Sequence, residues 1–255
     1  MTTANNQGVG IYYETEGSGP PLVLLHGWSG SLEYWRDFGY TRPLSESYQL
    51  ILIDVRGHGR SDVPDVEEAY DTDLMAGDVI AVLDALNIEQ AHFLGYSMGG
   101  WIGFHLGIEN PSRFLSMIIG GAHPYPEDLS PIRQFAQEGG ETIVGAWDSV
   151  DAPLSDGVRQ QLSQHPALPL AAAVRNDRSD LSKSLHRMQM PTLIYAGDQD
   201  FRYQGVKDCV KELPKAKWVS IAGLDHLSAM ARSELVLPHL HEFLDEVSAA
   251  SSPQN

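Results

Sequence analysis

The feature that most constrains this chain is a recurring apolar run of four or five residues. Leu22–Leu25, Leu50–Ile53, Ala91–Leu94, Leu115–Ile119, Thr192–Tyr195 and Trp218–Ile221 are continuous rather than alternating, and Gly or Pro bounds them. An antiparallel strand with one wet face alternates apolar and polar residues. A strand covered on both faces does not, so these runs predict a parallel sheet sandwiched between helices. Helical patterns lie between them. Met75, Val79, Val82, Leu83 and Leu86 form one stripe behind a cap at Asp71 or Thr72, and Val236, Leu240, Phe243, Leu244 and Val247 form another. Pro238 is expected in the first turn of that last helix. The fold class is therefore α/β, a mostly parallel doubly wound sheet of about eight strands, with an antiparallel hairpin expected over Gly8–Glu16.

One stretch breaks the rhythm. From about Gly121 to Gln189 there is no strand candidate, and short helical pieces are expected at Ile132–Gln137, Glu141–Trp147 and Gly157–Gln164. An insertion of this size is too short for a comfortable domain and suits a lid over a site. The division expected is a core of residues 1–120 and 190–249, a helical cap of residues 121–189 inserted after the sixth strand, and a mobile tail of residues 250–255, where the sequence is small, polar and proline-interrupted.

Charge narrows the partners. With 34 acidic and 17 basic residues the net charge is −17, and no Lys/Arg run is present. That composition argues against nucleic acid and against anionic lipid. The most basic stretch, Arg175 to Arg187, is mixed, since it carries Asp177 and Asp180. The single cysteine, Cys209, permits no internal disulfide. The N-terminus has no signal-peptide pattern and no run reaches the length of a membrane span, so a cytoplasmic location is expected. Nothing in the sequence sets the oligomeric state.

Gly95-Tyr96-Ser97-Met98-Gly99 fits G-x-S-x-G. The pattern is weak alone and gains force from its setting, because AHFLGY before it reads as a strand and GGWIGFHLGIE after it as a helix. A serine on such a sharp turn is held out as a nucleophile, and flanking glycines let the neighbouring backbone approach. His26-Gly27-Trp28 follows the strand Leu22–Leu25, in a loop that can aim a backbone N–H at a developing oxyanion. The N–H of Met98 would be the second donor, each worth around 3 kcal/mol. His58, in the Gly-rich DVRGHGRSD connection, reads as a turn-stabilising residue rather than a base.

These segments together, HGW, DVRGHGRSD, GYSMGG and ENPSRFLSMII in that order, resemble the α/β-hydrolase superfamily over nearly the whole chain. The likeness is to a serine-nucleophile, esterase- or lactonase-like member with a short cap. It implies a triad in the order Ser, Asp, His. Asp200 after the strand Thr192–Tyr195 matches the acid, with Asp198 as its competitor, and His226 after Trp218–Ile221 matches the base. The resemblance implies that His226 takes the Ser97 proton and Asp200 orients the ring, with no metal or other cofactor. Ser97 also sets the chain apart from haloalkane dehalogenase-like and epoxide hydrolase-like members, which carry aspartate at the elbow, and from dienelactone hydrolase-like ones, which carry cysteine.

The substrate expected is a small molecule, a small to medium carboxylic ester, in a mostly apolar pocket. Trp28, Tyr96 and Met98 would line it from the core and Trp147 from the cap, with Leu154 and Pro166–Ala173 as further lid candidates. Trp101 reads as buried filler more than as a pocket wall. The same triad serves enol-lactone hydrolases, carbon–carbon bond hydrolases and cofactor-free perhydrolases. A receptor that only binds its ligand is the reading from another class.

Overall fold

In the computed structural model, which describes residues 2–165 and 167–251, eight strands form one sheet in the order β1-β2-β4-β3-β5-β6-β7-β8. They are β1 (Thr3–Asn6), β2 (Val9–Glu16), β3 (Pro21–Leu25), β4 (Gln49–Ile53), β5 (Ala91–Tyr96), β6 (Phe114–Gly120), β7 (Thr192–Gly197) and β8 (Ala216–Ile221). β3 to β8 pair in parallel, while β1 and β2 join antiparallel at one edge. The hairpin expected within Gly8–Glu16 differs from the one observed. Those residues give a single long strand, and its partner is the preceding Thr3–Asn6, turned by Gln7 and Gly8 at positive φ.

Eleven helices among the described residues cover the sheet. They are α1 (Glu33–Asp37), α2 (Thr41–Ser45), α3 (Thr72–Ala85), α4 (Met98–Glu109), α5 (Ser130–Glu138), α6 (Gly140–Asp148), α7 (Asp156–Ser163), α8 (Ala167–Ala172), α9 (Tyr203–Cys209), α10 (Ser228–Ala231) and α11 (Ser233–Ser251). Strand periodicity sorts the core into two layers. Leu22, Leu24, Leu50, Leu52 and Leu94 face one side, against Trp35, Leu240 and Leu244. Val23, Leu25, Ile51, Ile53 and Phe93 face the other, against Val79, Val82 and Ile102. β8 departs from the buried pattern, because it is an edge strand and its residues before Ile221 are half-buried or exposed.

Several helix ends differ from expectation. Asp71 is the N-cap of α3, but its carboxylate accepts a hydrogen bond from Arg175 Nη2 at 2.6 Å instead of capping the helix. α11 starts at Ser233, which places Pro238 in its second turn. The helix also runs on to Ser251, so the tail expected from residue 250 is helical there, and residues 252–255 lie outside the described residues. Between β6 and β7 the chain forms α5 to α8, and an isolated antiparallel bridge between Glu127 and Arg178 ties the two ends of this stretch together. α8 falls in the Pro166–Ala173 stretch, of which Pro166 itself lies outside the described residues.

The sheet order has a consequence for function. The connection from β3 leads outward to β4, and β5 lies on β3's other side. The loops after β3 and β5 therefore diverge at a switch point, and the crevice between them opens at the carboxyl ends of the strands, where α/β sheets bind ligands.

Candidate active site

Ser97 stands at the end of β5, at the head of α4, with φ 54° and ψ −109°. That conformation is strained for a residue with a Cβ, at a cost of order 1–3 kcal/mol. Hydrogen bonds on both sides hold it: the Ser97 N–H donates to Gly120 O at 2.9 Å and its carbonyl accepts from Trp101 N at 2.9 Å. The turn fits only with small neighbours. A Cβ on Gly99 would meet Leu25 O at 2.1 Å, and one on Gly95 would meet Gly99 O at 2.5 Å.

Ser97 Oγ lies 2.9 Å from His226 Nε2, and His226 Nδ1 lies 2.7 Å from Asp200 Oδ2. With the proton on Nδ1, the ring donates to Asp200 and accepts from the serine hydroxyl, so one chain of hydrogen bonds links three residues from three strand ends. The second Asp200 oxygen accepts the Arg202 backbone N–H at 2.8 Å. Burial pushes the Asp200 carboxyl up, but the His226 and Arg202 contacts outweigh it and hold the group below the usual carboxylate range. Asp198, the competitor, is exposed and accepts the Gly223 N–H at 2.8 Å. Tyr96 braces the histidine loop from below, donating its hydroxyl hydrogen to His226 O at 2.7 Å.

The loop after β3 reaches the same point, and a Cβ on Gly27 would touch Ser97 Cβ at 3.4 Å. Among the described residues no hydrogen bond uses the backbone N–H of Trp28 or of Met98. Met98 opens α4, where a helix leaves its N–H groups without internal partners. The Trp28 indole donates to Leu170 O at 2.9 Å, tying this loop to α8. His58 packs behind the loop rather than in the site. It is buried, its Nε2 accepts the Ser29 N–H at 3.3 Å, and its Nδ1 bonds Arg56 O at 3.1 Å.

The crevice has two lobes that meet at Ser97, Trp28 and Arg202. The larger, about 680 Å³, is apolar on its walls, with Tyr34, Phe135, Ile143, Trp147 and Met230. Tyr96 and Trp147 belong to it. The smaller, about 300 Å³, is lined by Met98, Trp101, Ala172, Arg175 and Arg178. Trp101 thus forms a wall as well as filling the core, because its ring carries the Arg178 guanidinium at 5.1 Å. Leu154 is buried in the core layer under the helices instead.

Sequence reasoning missed the charged part of the site. Glu127 accepts from Arg178 Nη1 at 2.7 Å through one oxygen and from Arg202 Nε at 2.6 Å through the other. Arg202 Nη1 comes within 3.2 Å of His226 Nε2. The only signal was an isolated acid and two arginines in otherwise mixed segments, and only the fold brings them together. Among the described residues no three His, Cys, Asp or Glu side chains are placed to hold a metal ion.

Comparison with known proteins agrees with this architecture. Residues 20–170 match the family model described as the alpha/beta hydrolase fold, so the chain belongs to that family. It is 32% identical to 3-oxoadipate enol-lactonase 1 of Acinetobacter baylyi over 212 residues, covering 77% of this chain and 78% of the relative. The crystal structure of the enol-lactonase from Burkholderia xenovorans superposes with a TM-score of 0.82 at 21% identity, covering 96% of this chain and all of that one. A structure titled as an N-acyl homoserine lactone degrading enzyme superposes at 0.76 with 27% identity, over 95% of this chain and all of the other.

Proposed function

We propose that the chain is a serine hydrolase of small to medium carboxylic esters and lactones, acting through an acyl-enzyme on Ser97. The observation that carries this reading is the continuous hydrogen-bond chain from Ser97 Oγ through His226 to Asp200. A hydroxyl is a poor nucleophile at neutral pH, so the ring must take its proton as it attacks the carbonyl carbon. His226 then returns that proton to the departing oxygen, and Asp200 holds the ring in the tautomer that can do both. The Trp28 and Met98 N–H groups receive the tetrahedral oxyanion. Water, deprotonated by the same ring, cleaves the acyl-enzyme.

In this reading α5 to α8 serve as the cap. Their Phe135, Ile143 and Trp147 side chains give the larger lobe its apolar wall, suited to an uncharged acyl or alcohol chain. The lactone reading draws support from the 32% identical relative, whose name is that of an enol-lactonase. Steady-state hydrolysis of p-nitrophenyl esters from acetate to decanoate, and of a lactone panel, tests both, with Ser97→Ala as control. Turnover that peaks at short chains and vanishes in the variant is expected. Multiple turnover retained by Ser97→Ala would remove the serine from the reaction.

A further inference from the structure

The second lobe is chemically unlike the first. Arg178 and Arg202 are 9% and 3% exposed, and both line the smaller lobe. One carboxylate, Glu127, serves both guanidinium groups. Arg202 spends its Nε hydrogen on Glu127 and directs Nη1 at His226, while its Nη2 is buried with no hydrogen-bond partner among the described residues. Unsatisfied buried donors on a charged group are rare and costly, so they call for an acceptor. Burial, with the neighbouring Arg202 charge, presses Arg178 down to about 9, which leaves it charged at neutral pH.

The other charges around the lobe are already committed or lie in solvent. Arg175 pairs with Asp71 at 2.6 Å and Arg133 with Asp177 at 2.8 Å. Asp73 lies 3.2 Å from His105, a ring that burial holds towards its neutral form, so the Asp73 carboxylate keeps its charge, but it is exposed to solvent at the rim. Asp200 is turned to His226 and the Arg202 backbone, and lines neither lobe. Facing the smaller lobe from within, two cations therefore share a single anion. Arg202 is also the link to the chemistry, because its Nη1 and Ser97 Oγ are both neighbours of His226 Nε2.

We propose that the smaller lobe is a carboxylate subsite, in which Arg178 and Arg202 bind an anionic group carried by the substrate a few carbons from the carbonyl that Ser97 attacks. The proposal rests on Ser97 being the nucleophile, and it narrows the substrate class to acidic half-esters and carboxylated lactones. Paired arginines suit this because a guanidinium fork meets a carboxylate with two parallel hydrogen bonds. The apolar lobe then receives the remainder of the molecule. The strongly negative chain does not oppose this binding at close range, since the field inside the lobe is set by the groups that line it.

The test compares kcat/KM for monomethyl glutarate with that for methyl hexanoate, followed by proton release, in the wild type, Arg178→Gln and Arg178→Lys. The expected preference for the charged ester is roughly tenfold or more, carried mainly by KM. It should collapse towards one in Arg178→Gln and return in part in Arg178→Lys. A second measurement needs no turnover. Glutarate should raise the melting temperature of the wild type and of Ser97→Ala, and leave folded Arg178→Gln unmoved. Ser97-dependent turnover of methyl hexanoate with no preference for the half-ester would overturn the subsite and leave the serine mechanism standing. No turnover by the folded protein of either ester, of the p-nitrophenyl esters or of the lactone panel would overturn the serine hydrolase reading. The glutarate melt would then decide the subsite by itself, and equal stabilisation of wild type and Arg178→Gln, or of neither, would overturn it.

Discussion

His226 Nδ1 lies 2.7 Å from Asp200 Oδ2, whereas Asp198, two residues earlier in the same loop, faces solvent and takes the Gly223 N–H at 2.8 Å. The two carboxylates thus have different work, one orienting a ring and the other closing a turn. Asp200 accepts with both oxygens. In Asp200→Asn the one that remains can keep the Arg202 N–H, while the new NH2 faces His226 Nδ1 and selects the wrong tautomer. The kcat should therefore fall about 10³- to 10⁴-fold. Asp198→Asn keeps an acceptor for Gly223 and should change kcat less than about threefold, at a stability cost below about 1 kcal/mol. Steady-state kinetics of the two variants on one p-nitrophenyl ester separates them, and comparable losses would refute the assignment.

Tyr96 supports the histidine from the other side, through its hydroxyl and the His226 carbonyl at 2.7 Å. Tyr96→Phe leaves that carbonyl without its donor in a buried setting, which should cost about 1–2 kcal/mol. In a chain of this size that is a fall in Tm of roughly 2–8 °C. Since the ring is placed by that bond, kcat should drop severalfold while KM holds. A differential scanning measurement beside the kinetics checks both, and an unchanged Tm would show that the bond carries no weight.

Much of this was legible in the sequence because it rests on local rules. A continuous apolar run states that both faces are covered, and G-x-S-x-G states that the backbone must turn where Leu25 and Gly99 nearly touch. The order of the strand-end loops then delivers Ser97, Asp200 and His226 to one end of the sheet. Glu127, Arg178 and Arg202 were not legible in that way. Arg178 and Arg202 sit 51 and 75 residues from Glu127, on segments with no periodicity. The antiparallel bridge at the base of the α5–α8 stretch brings Arg178 to Glu127, and the turn after β7 brings Arg202. Asp71 shows a similar limit, since its helix-capping signal was genuine but a distant arginine claims its carboxylate.

Buried histidines set the acid stability of the fold, His26, His58 and His92 foremost. Burial pushes His26 and His92 down to about 4, and burial with the neighbouring His165 and His26 pushes His58 well below its ordinary value. In the unfolded chain the same rings take a proton near pH 6.5. Below that pH the unfolded state therefore binds more protons than the native one, and stability falls as the pH drops from about 6.5 towards about 4. Asp54 and Asp78 oppose this, because burial raises both carboxyls, Asp54 to about 6, but the lowered histidines outnumber them. Asp200, held below the carboxylate range, yields its contribution only at lower pH. The urea midpoint should be lower at pH 5.0 than at pH 7.5, and His92→Gln should narrow the gap. An equal or higher midpoint at pH 5.0 would contradict the account.

The apolar lobe can be tested through Phe135, a half-buried residue of α5 whose ring lies 6.2 Å from that of Trp28. In the proposed reaction, Phe135→Ala deletes apolar wall area open to a substrate chain and leaves Ser97, His226 and Asp200 untouched. The binding it removes is shared by ground state and transition state, so the loss should fall on KM with kcat within about twofold. At about 25 cal/mol per Å² of apolar surface, the KM rise should be roughly three- to tenfold for p-nitrophenyl hexanoate. It should be smaller for the acetate, whose acyl group is too short to reach the ring. Trp147→Ala is a poorer probe, because Trp147 is buried against Tyr34 at 5.1 Å and its loss should cost about 3–5 kcal/mol of stability. Chain-length dependence is the discriminating readout. A KM rise equal for acetate and hexanoate would mean that Phe135 shapes the site as a whole, and that the acyl chain lies elsewhere.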